Sequence, residues 1–263
     1  MTLARQLKEL GLTETGNELD DILALAQKKR WSGVQLLEHV AHVEANAKAR
    51  RSLERRLSRS KIGRFRPMEN FDWEWPDEID RDLVETSLQL DFINQARNVI
   101  LVAPQGLGKT MIAKNIAHRA IGAGHTVSFV SASQLLLDLG SRDSARALDQ
   151  RLKHYAKQGL LVIDEVGYLA YDARSADLLF QIITLRYEAK SIVLTTNLVF
   201  SDWKTIFPNA SCATALIDRV IHHADIISIA GQSYRRREAD EEAKQRRPGK
   251  SGRTPGPKKR APS

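Results

Sequence analysis

Residues 99 to 110 read Val-Ile-Leu-Val-Ala-Pro-Gln-Gly-Leu-Gly-Lys-Thr. A run of branched apolar residues stops at a loop bearing Gly106 and Gly108. The loop runs into Lys109-Thr110 and a helix-like segment from Met111 to Ile121. Strand, glycine loop and helix start, in that order, are the context a phosphate-binding loop requires. The backbone from Gly106 through Leu107, Gly108, Lys109 and Thr110 to Met111 can wrap phosphate oxygens with its N–H groups, and the helix N-terminus adds partial positive charge. Lys109 would reach the β- and γ-phosphates of ATP, and the Thr110 hydroxyl would hold Mg²⁺. One position departs from the common pattern, because the opening glycine is Ala103, the smallest replacement available.

Two later stretches repeat the design of an apolar run that ends in polar residues. Leu160-Leu-Val-Ile-Asp-Glu165 delivers two acids to a strand's carboxyl edge. In a phosphate-loop ATPase, Asp164 would hold Mg²⁺ through water and Glu165 would orient and polarise the attacking water. Ser191-Ile-Val-Leu-Thr-Thr-Asn197 ends in Asn197, placed to hydrogen-bond the water or the γ-phosphate, with Thr195 and Thr196 sharing that place less forcefully. Strands are expected at 98–102, 126–130, 160–165, 191–197 and 225–229, with helices at 81–95, 111–121, 133–139, 144–158, 174–188 and 213–223. Alternating strands and helices imply an α/β fold, a parallel sheet with helices on both faces and the ligand at the strands' carboxyl edge.

Ahead of this core, residues 1–60 read as three short helices, with Asn17 a candidate cap for the second. The third begins at Val34 and becomes strongly basic. Residues 44–66 carry nine Lys or Arg against Glu44 and Glu54. Like charges at helical spacing cost helix stability, so this density points to a polyanion. Lys48, Arg50, Arg51, Arg55, Arg56 and Arg59 are the candidates for contact with duplex DNA phosphates, though no base-reading motif is visible. Residues 61–80 hold Phe65, Phe71, Trp73, Trp75 and two prolines, and read as a strap packed on the core that can also reach the nucleotide base. The core domain is expected over 81–237. Residues 238–263 read as a disordered basic tail with no room for a large helical lid. Gly249-Lys-Ser251 there lacks both a preceding strand and the upstream loop residue of a second phosphate loop.

Net charge is +8, and the eight cations of residues 244–263 meet no acid. That imbalance favours a polyanionic partner over an ordinary metabolite and argues against a small-molecule kinase. Cys212 is the only cysteine, which excludes an internal disulfide and fits a reducing cytoplasm, with association to the nucleoid when DNA is bound. There is no apolar run of membrane-spanning length and no signal-peptide pattern. His222 and His223 are expected to pack or cap a helix, since no Cys/His cluster suggests zinc.

The motif order resembles the AAA+ ATPases. Ile163-Asp-Glu-Val-Gly-Tyr168, Leu194-Thr-Thr-Asn197, Leu216-Ile-Asp-Arg-Val-Ile-His-His-Ala224 and Gly231-Gln-Ser-Tyr-Arg235 resemble the IstB family more closely. These are ATP-binding helpers encoded beside insertion-sequence transposases and related to the helicase loader DnaC. The resemblance implies a DNA-bound ATPase that self-assembles into a homo-oligomer and recruits or stimulates a partner transposase. It further implies that Arg219 is an arginine finger reaching a neighbouring subunit's γ-phosphate, where a cation neutralises charge in phosphoryl transfer. Arg235, followed here by Arg236 where relatives place an apolar residue, is the candidate second phosphate sensor. The alternatives are a helicase loader and a nucleotide-gated DNA-binding scaffold with little turnover.

Overall fold

The computed structural model describes residues 2–168 and 170–239. Of the expected disordered tail, 238–263, residues 240–263 lie outside the described residues, whereas residues 238 and 239 are helical and Glu238 pairs with Arg66 at 2.8 Å. Five parallel strands form the sheet's body: β2 (Asn98–Val102), β3 (Val127–Ser131), β4 (Leu160–Val166), β5 (Ser191–Thr196) and β6 (Ala224–Ala230). A two-residue strand, β1 (Glu78–Ile79), adds antiparallel to β6, giving the order β1-β6-β2-β5-β4-β3. The α/β class and the parallel sheet expected from the sequence are thus present, and β1 is an addition inside the strap.

β2, β4 and β5 are largely apolar and buried because both faces of the sheet are covered there. Alternate residues feed two cores. Ile100, Leu161, Ile163, Ile192 and Leu194 pack against α8 (Ala132–Gly140), α9 (Ala145–Ala156), α10 (Ala173–Arg186) and α11 (Ala210–Ile221). Val99, Leu101, Leu160, Val162 and Val193 pack against α5 (Arg81–Gln89), α6 (Asp91–Asn94) and α7 (Lys109–Gly122).

The single helix expected over 81–95 is two, because Leu90 sits at φ 74°, in the left-handed region, and ends α5. Val84, Leu88 and Phe92 still point inward.

The N-terminal segment holds four helices in place of three: α1 (Leu3–Glu9), α2 (Thr13–Asn17), α3 (Leu19–Lys29) and α4 (Gly33–Ser60). Asn17 does not cap α3; Glu18 occupies that position without a side-chain cap bond. By contrast Ser32 caps α4 in a reciprocal pair with Gln35, which suits the start of a 28-residue helix. Its first half carries α2, through the bond from Thr15 N–H to Glu44. Its second half lies on the core, with Leu53 and Leu57 against the α7 side of the sheet.

One buried cation ties the α8–α11 side together. The Arg186 side chain is fully enclosed, and its guanidinium donates to the carbonyls of Tyr155, Ala156, Gln158 and Ser191 at 2.6–3.1 Å. It thereby caps the C-terminus of α9 and fixes the entry to β5. Burial without an anionic partner lowers its pKa to about 9.

Candidate nucleotide site

The loop between β2 and α7 takes its shape from two glycines. Gly106 and Gly108 have φ of 84° and 86°, where a side chain is strained. Space forbids one as well. A β-carbon on Gly106 would stand 2.1 Å from Ser233 Oγ, and one on Gly108 would stand 2.6 Å from the Phe71 ring. Ala103, in contrast, is 3% exposed and has no positive φ. Its N–H donates to Thr196 O at 3.1 Å. The opening position of this loop therefore makes no conformational demand for glycine.

Lys109 Nζ donates to the carbonyls of Ala103 and Pro104 at 2.6 and 2.8 Å. Burial lowers its pKa to about 8; Asp164 and Glu165 oppose that shift and Arg235 adds to it. The ammonium is thus folded back onto carbonyls of its own loop.

Across the sheet edge, Asp164 is 6% exposed. Its Oδ1 accepts from Thr110 Oγ1 at 3.1 Å and from Thr195 Oγ1 at 2.5 Å. Hard oxygen donors from Thr110 and Asp164 fit Mg²⁺, which prefers one or two protein oxygens plus phosphate and water. Glu165 follows in a β-bulge at φ 61°, which turns its side chain out to solvent at the strand's carboxyl edge. Its N–H donates to the same Thr195 hydroxyl at 2.9 Å. Thr195, 0% exposed, thus holds both acids. The sequence reading gave this residue little force, because its partners lie on the neighbouring strand and only sheet register brings them together.

The strap and the end of the described chain close the site. A cavity of about 360 Å³ is walled by the phosphate loop, by Arg64, Phe65, Phe71 and Trp75 of the strap, and by Tyr234 and Arg235. Lys114 and Asn115 of α7 hold the strap by its backbone at Arg64 O and Arg66 O. Trp75 Nε1 donates to Gln232 O, Tyr234 N–H donates to Gly106 O, and Arg237 pairs with Asp72 while covering Trp75. The expected packing of the strap on the core is present, and its Phe65, Phe71 and Trp75 line the same cavity as the phosphate loop.

Asn197 and Arg219, two further expected site residues, stand apart from this cavity. Asn197 follows β5 directly, half-buried, at the same sheet edge as Asp164. Arg219 lies on α11 with its guanidinium 4.5 Å from the centre of the Phe180 ring, away from the residues lining the cavity. Arg235 lines the cavity, whereas Arg236 does not. His222 meets Tyr187 at 2.5 Å and His223 meets Glu188 at 3.4 Å. These contacts tie the ends of α10 and α11, the packing role expected of them. Glu188, His222 and His223 also gather their potential ligand atoms within 4.8 Å, a cluster the sequence did not suggest.

The six candidate DNA contacts divide. Arg56 donates to Ile121 O and to Ser52, bracing α4 on the core. Arg50 and Arg51 pair with Glu14, and Arg51 also with Glu44. Lys48, Arg55 and Arg59 are exposed and have no such partner among the described residues.

A β-strand, a two-glycine phosphate loop, a lysine and threonine opening a helix, and an acid pair on a nearby strand define a nucleotide-binding AAA+ domain. Solved structures share the fold. A replication initiator DnaA bound to AMPPCP and single-stranded DNA aligns with TM-score 0.50 and 16% identity over 67% of this chain and 56% of that one. DnaI aligns with TM-score 0.50 and 18% identity over 65% and 93%. The chain belongs to the family of IstB-like ATP binding proteins, whose model matches residues 5–242. A relative in Bacillus thuringiensis subsp. berliner, named for ATP binding and for insertion sequence IS232, is 33% identical over 89% of this chain and 93% of its own. The counterpart named for insertion sequence IS21 in Pseudomonas aeruginosa is 33% identical over 88% of both chains. Among the described residues no helix is long and apolar enough to cross a membrane.

Proposed function

We propose that this protein is a Mg²⁺-dependent ATPase that assembles on duplex DNA in the cytoplasm and recruits or stimulates the transposase of its insertion sequence. The observation that carries the ATPase reading is the bond from Thr110 to Asp164, which joins the loop's hydroxyl to the acid of the neighbouring motif. Thr110 and Asp164 would hold Mg²⁺, which would supply positive charge to offset that of the phosphates. Lys109 leaves its loop carbonyls for the phosphates, and Glu165 polarises water at the open sheet edge while Asn197 orients it. Arg235 lies on the cavity wall that the phosphates face. Arg219 projects from α11 to complete a neighbouring subunit's pocket, which makes turnover depend on assembly. Membership in a family named for insertion sequences supports transposition as the setting.

Mixed oligomers test the reading. Lys109→Ala subunits lack nucleotide and Arg219→Ala subunits lack the finger, so each alone is inactive. Mixing them restores part of the ATPase, because some interfaces pair an intact pocket with an intact finger. Mixed oligomers with no activity would remove the finger assignment. An unchanged hydrolysis rate in Glu165→Gln would remove the ATPase mechanism.

A further inference from the structure

We infer that the DNA interface of α4 is a single stripe made by Lys48, Arg55 and Arg59, and that the other cations of this helix serve the protein's own architecture. The inference rests on the DNA reading above and assigns its contact surface. At 3.6 residues per turn, positions 48, 55 and 59 fall within a sector of about 40°. Leu53, Leu57 and the buried Ser60 occupy the opposite side of the helix, against the core. The stripe therefore faces outward. The nearest acid in phase, Glu44, is withdrawn from it by its bonds to Thr15 N–H and Arg51. Arg50, Arg51 and Arg56 lie outside the sector and already have partners: Glu14 for the first two, and Ser52 and the Ile121 carbonyl for the third.

Geometry and charge select the partner. The stripe spans twelve residues of helix, about 17 Å from first to last, over which a duplex presents about five phosphates on each strand. Three long, unpaired cations along one line match a phosphate strand. Toward the N-terminus the same sector continues as Val34, Leu37 and Ala41, exposed but uncharged, so the polyanion's footprint ends near Lys48. Nothing on the stripe is built to read bases, which fits binding without sequence preference.

The experiment measures affinity of the full chain for a duplex of arbitrary sequence across a range of salt concentrations. Each phosphate contact contributes about 0.9 to the slope of log affinity against log salt. The triple variant Lys48→Gln, Arg55→Gln, Arg59→Gln should flatten that slope by about 2.7. The double variant Arg50→Gln, Arg51→Gln should leave the slope where it is, and nucleotide binding in both reports that the core is intact. An unchanged slope in the triple variant, or an equal loss in the double variant, overturns the stripe while leaving DNA binding in place. Absence of duplex binding by the unmodified chain at low salt overturns the DNA reading itself. If poly-glutamate, and not duplex, is the ligand lost with the triple variant, the partner is an acidic protein and the inference fails.

Discussion

Thr195→Val separates positioning of the two acids from nucleotide binding. Valine keeps the shape of the buried side chain and removes only the hydroxyl. That hydroxyl donates to Asp164 at 2.5 Å and accepts the Glu165 N–H at 2.9 Å. A hydrogen bond to a charged group contributes roughly 1.5–3 kcal/mol, and the orphaned Glu165 amide adds about 1 kcal/mol. Asp164 keeps its bond from Thr110, so part of the loss is recovered. If about 2 kcal/mol is felt in the transition state, kcat falls roughly 30-fold. KM should stay within about twofold, since the Lys109 ammonium and the loop amides that hold the phosphates are untouched. Steady-state ATPase rates with fluorescent-nucleotide titrations read both quantities, and Thr195→Ser should restore kcat. A folded Thr195→Val protein with kcat within twofold of the unmodified chain would refute the reasoning.

The other perturbations are simpler. Arg186→Met strands four buried carbonyl acceptors, while relieving a desolvation that its pKa of about 9 places near 5 kcal/mol; a net loss of about 3 kcal/mol should appear in urea unfolding, and an unchanged midpoint would contradict the capping role. Burial lowers the Lys109 pKa to about 8, and a bound phosphate favours its charged form. Nucleotide affinity should therefore be level below pH 8 and fall about tenfold per unit above it, with proton uptake on binding detectable by calorimetry in two buffers; a flat profile to pH 9.5 would argue against direct contact. Gly106→Ala drives a methyl into Ser233 Oγ at a left-handed position and should weaken nucleotide binding at least about tenfold; unaltered affinity would mean the loop can relax away from Ser233.

Much of the core was legible because its signals are local. The segments 98–102, 160–165 and 191–197 are short apolar runs with abrupt polar ends, and they fall on β2, β4 and β5 to within a residue or two. Lys109, Thr110, Asp164 and Glu165 gather at one sheet edge for the same reason. What escaped is non-local. β1 is two residues long and exists only through its pairing with β6. Thr195 gains its importance from register across two strands. The break at Leu90 places a left-handed residue where no glycine announces it. Arg186 looks in sequence like an ordinary solvated cation at a helix end, and only the packing of α9 and β5 reveals its enclosure.

Both ends of α7 are in use. Its first turn carries Lys109 and Thr110, and the carbonyl of Ile121 near its other end receives Arg56 from the basic helix. Fourteen residues of regular helix form a stiff rod, about 21 Å long. A tilt of about 10° around the phosphate end carries the far end through about 3.5 Å, longer than the 3.1 Å hydrogen bond anchored there. The same rod therefore links the loop that carries Lys109 to the helix that carries Lys48, Arg55 and Arg59.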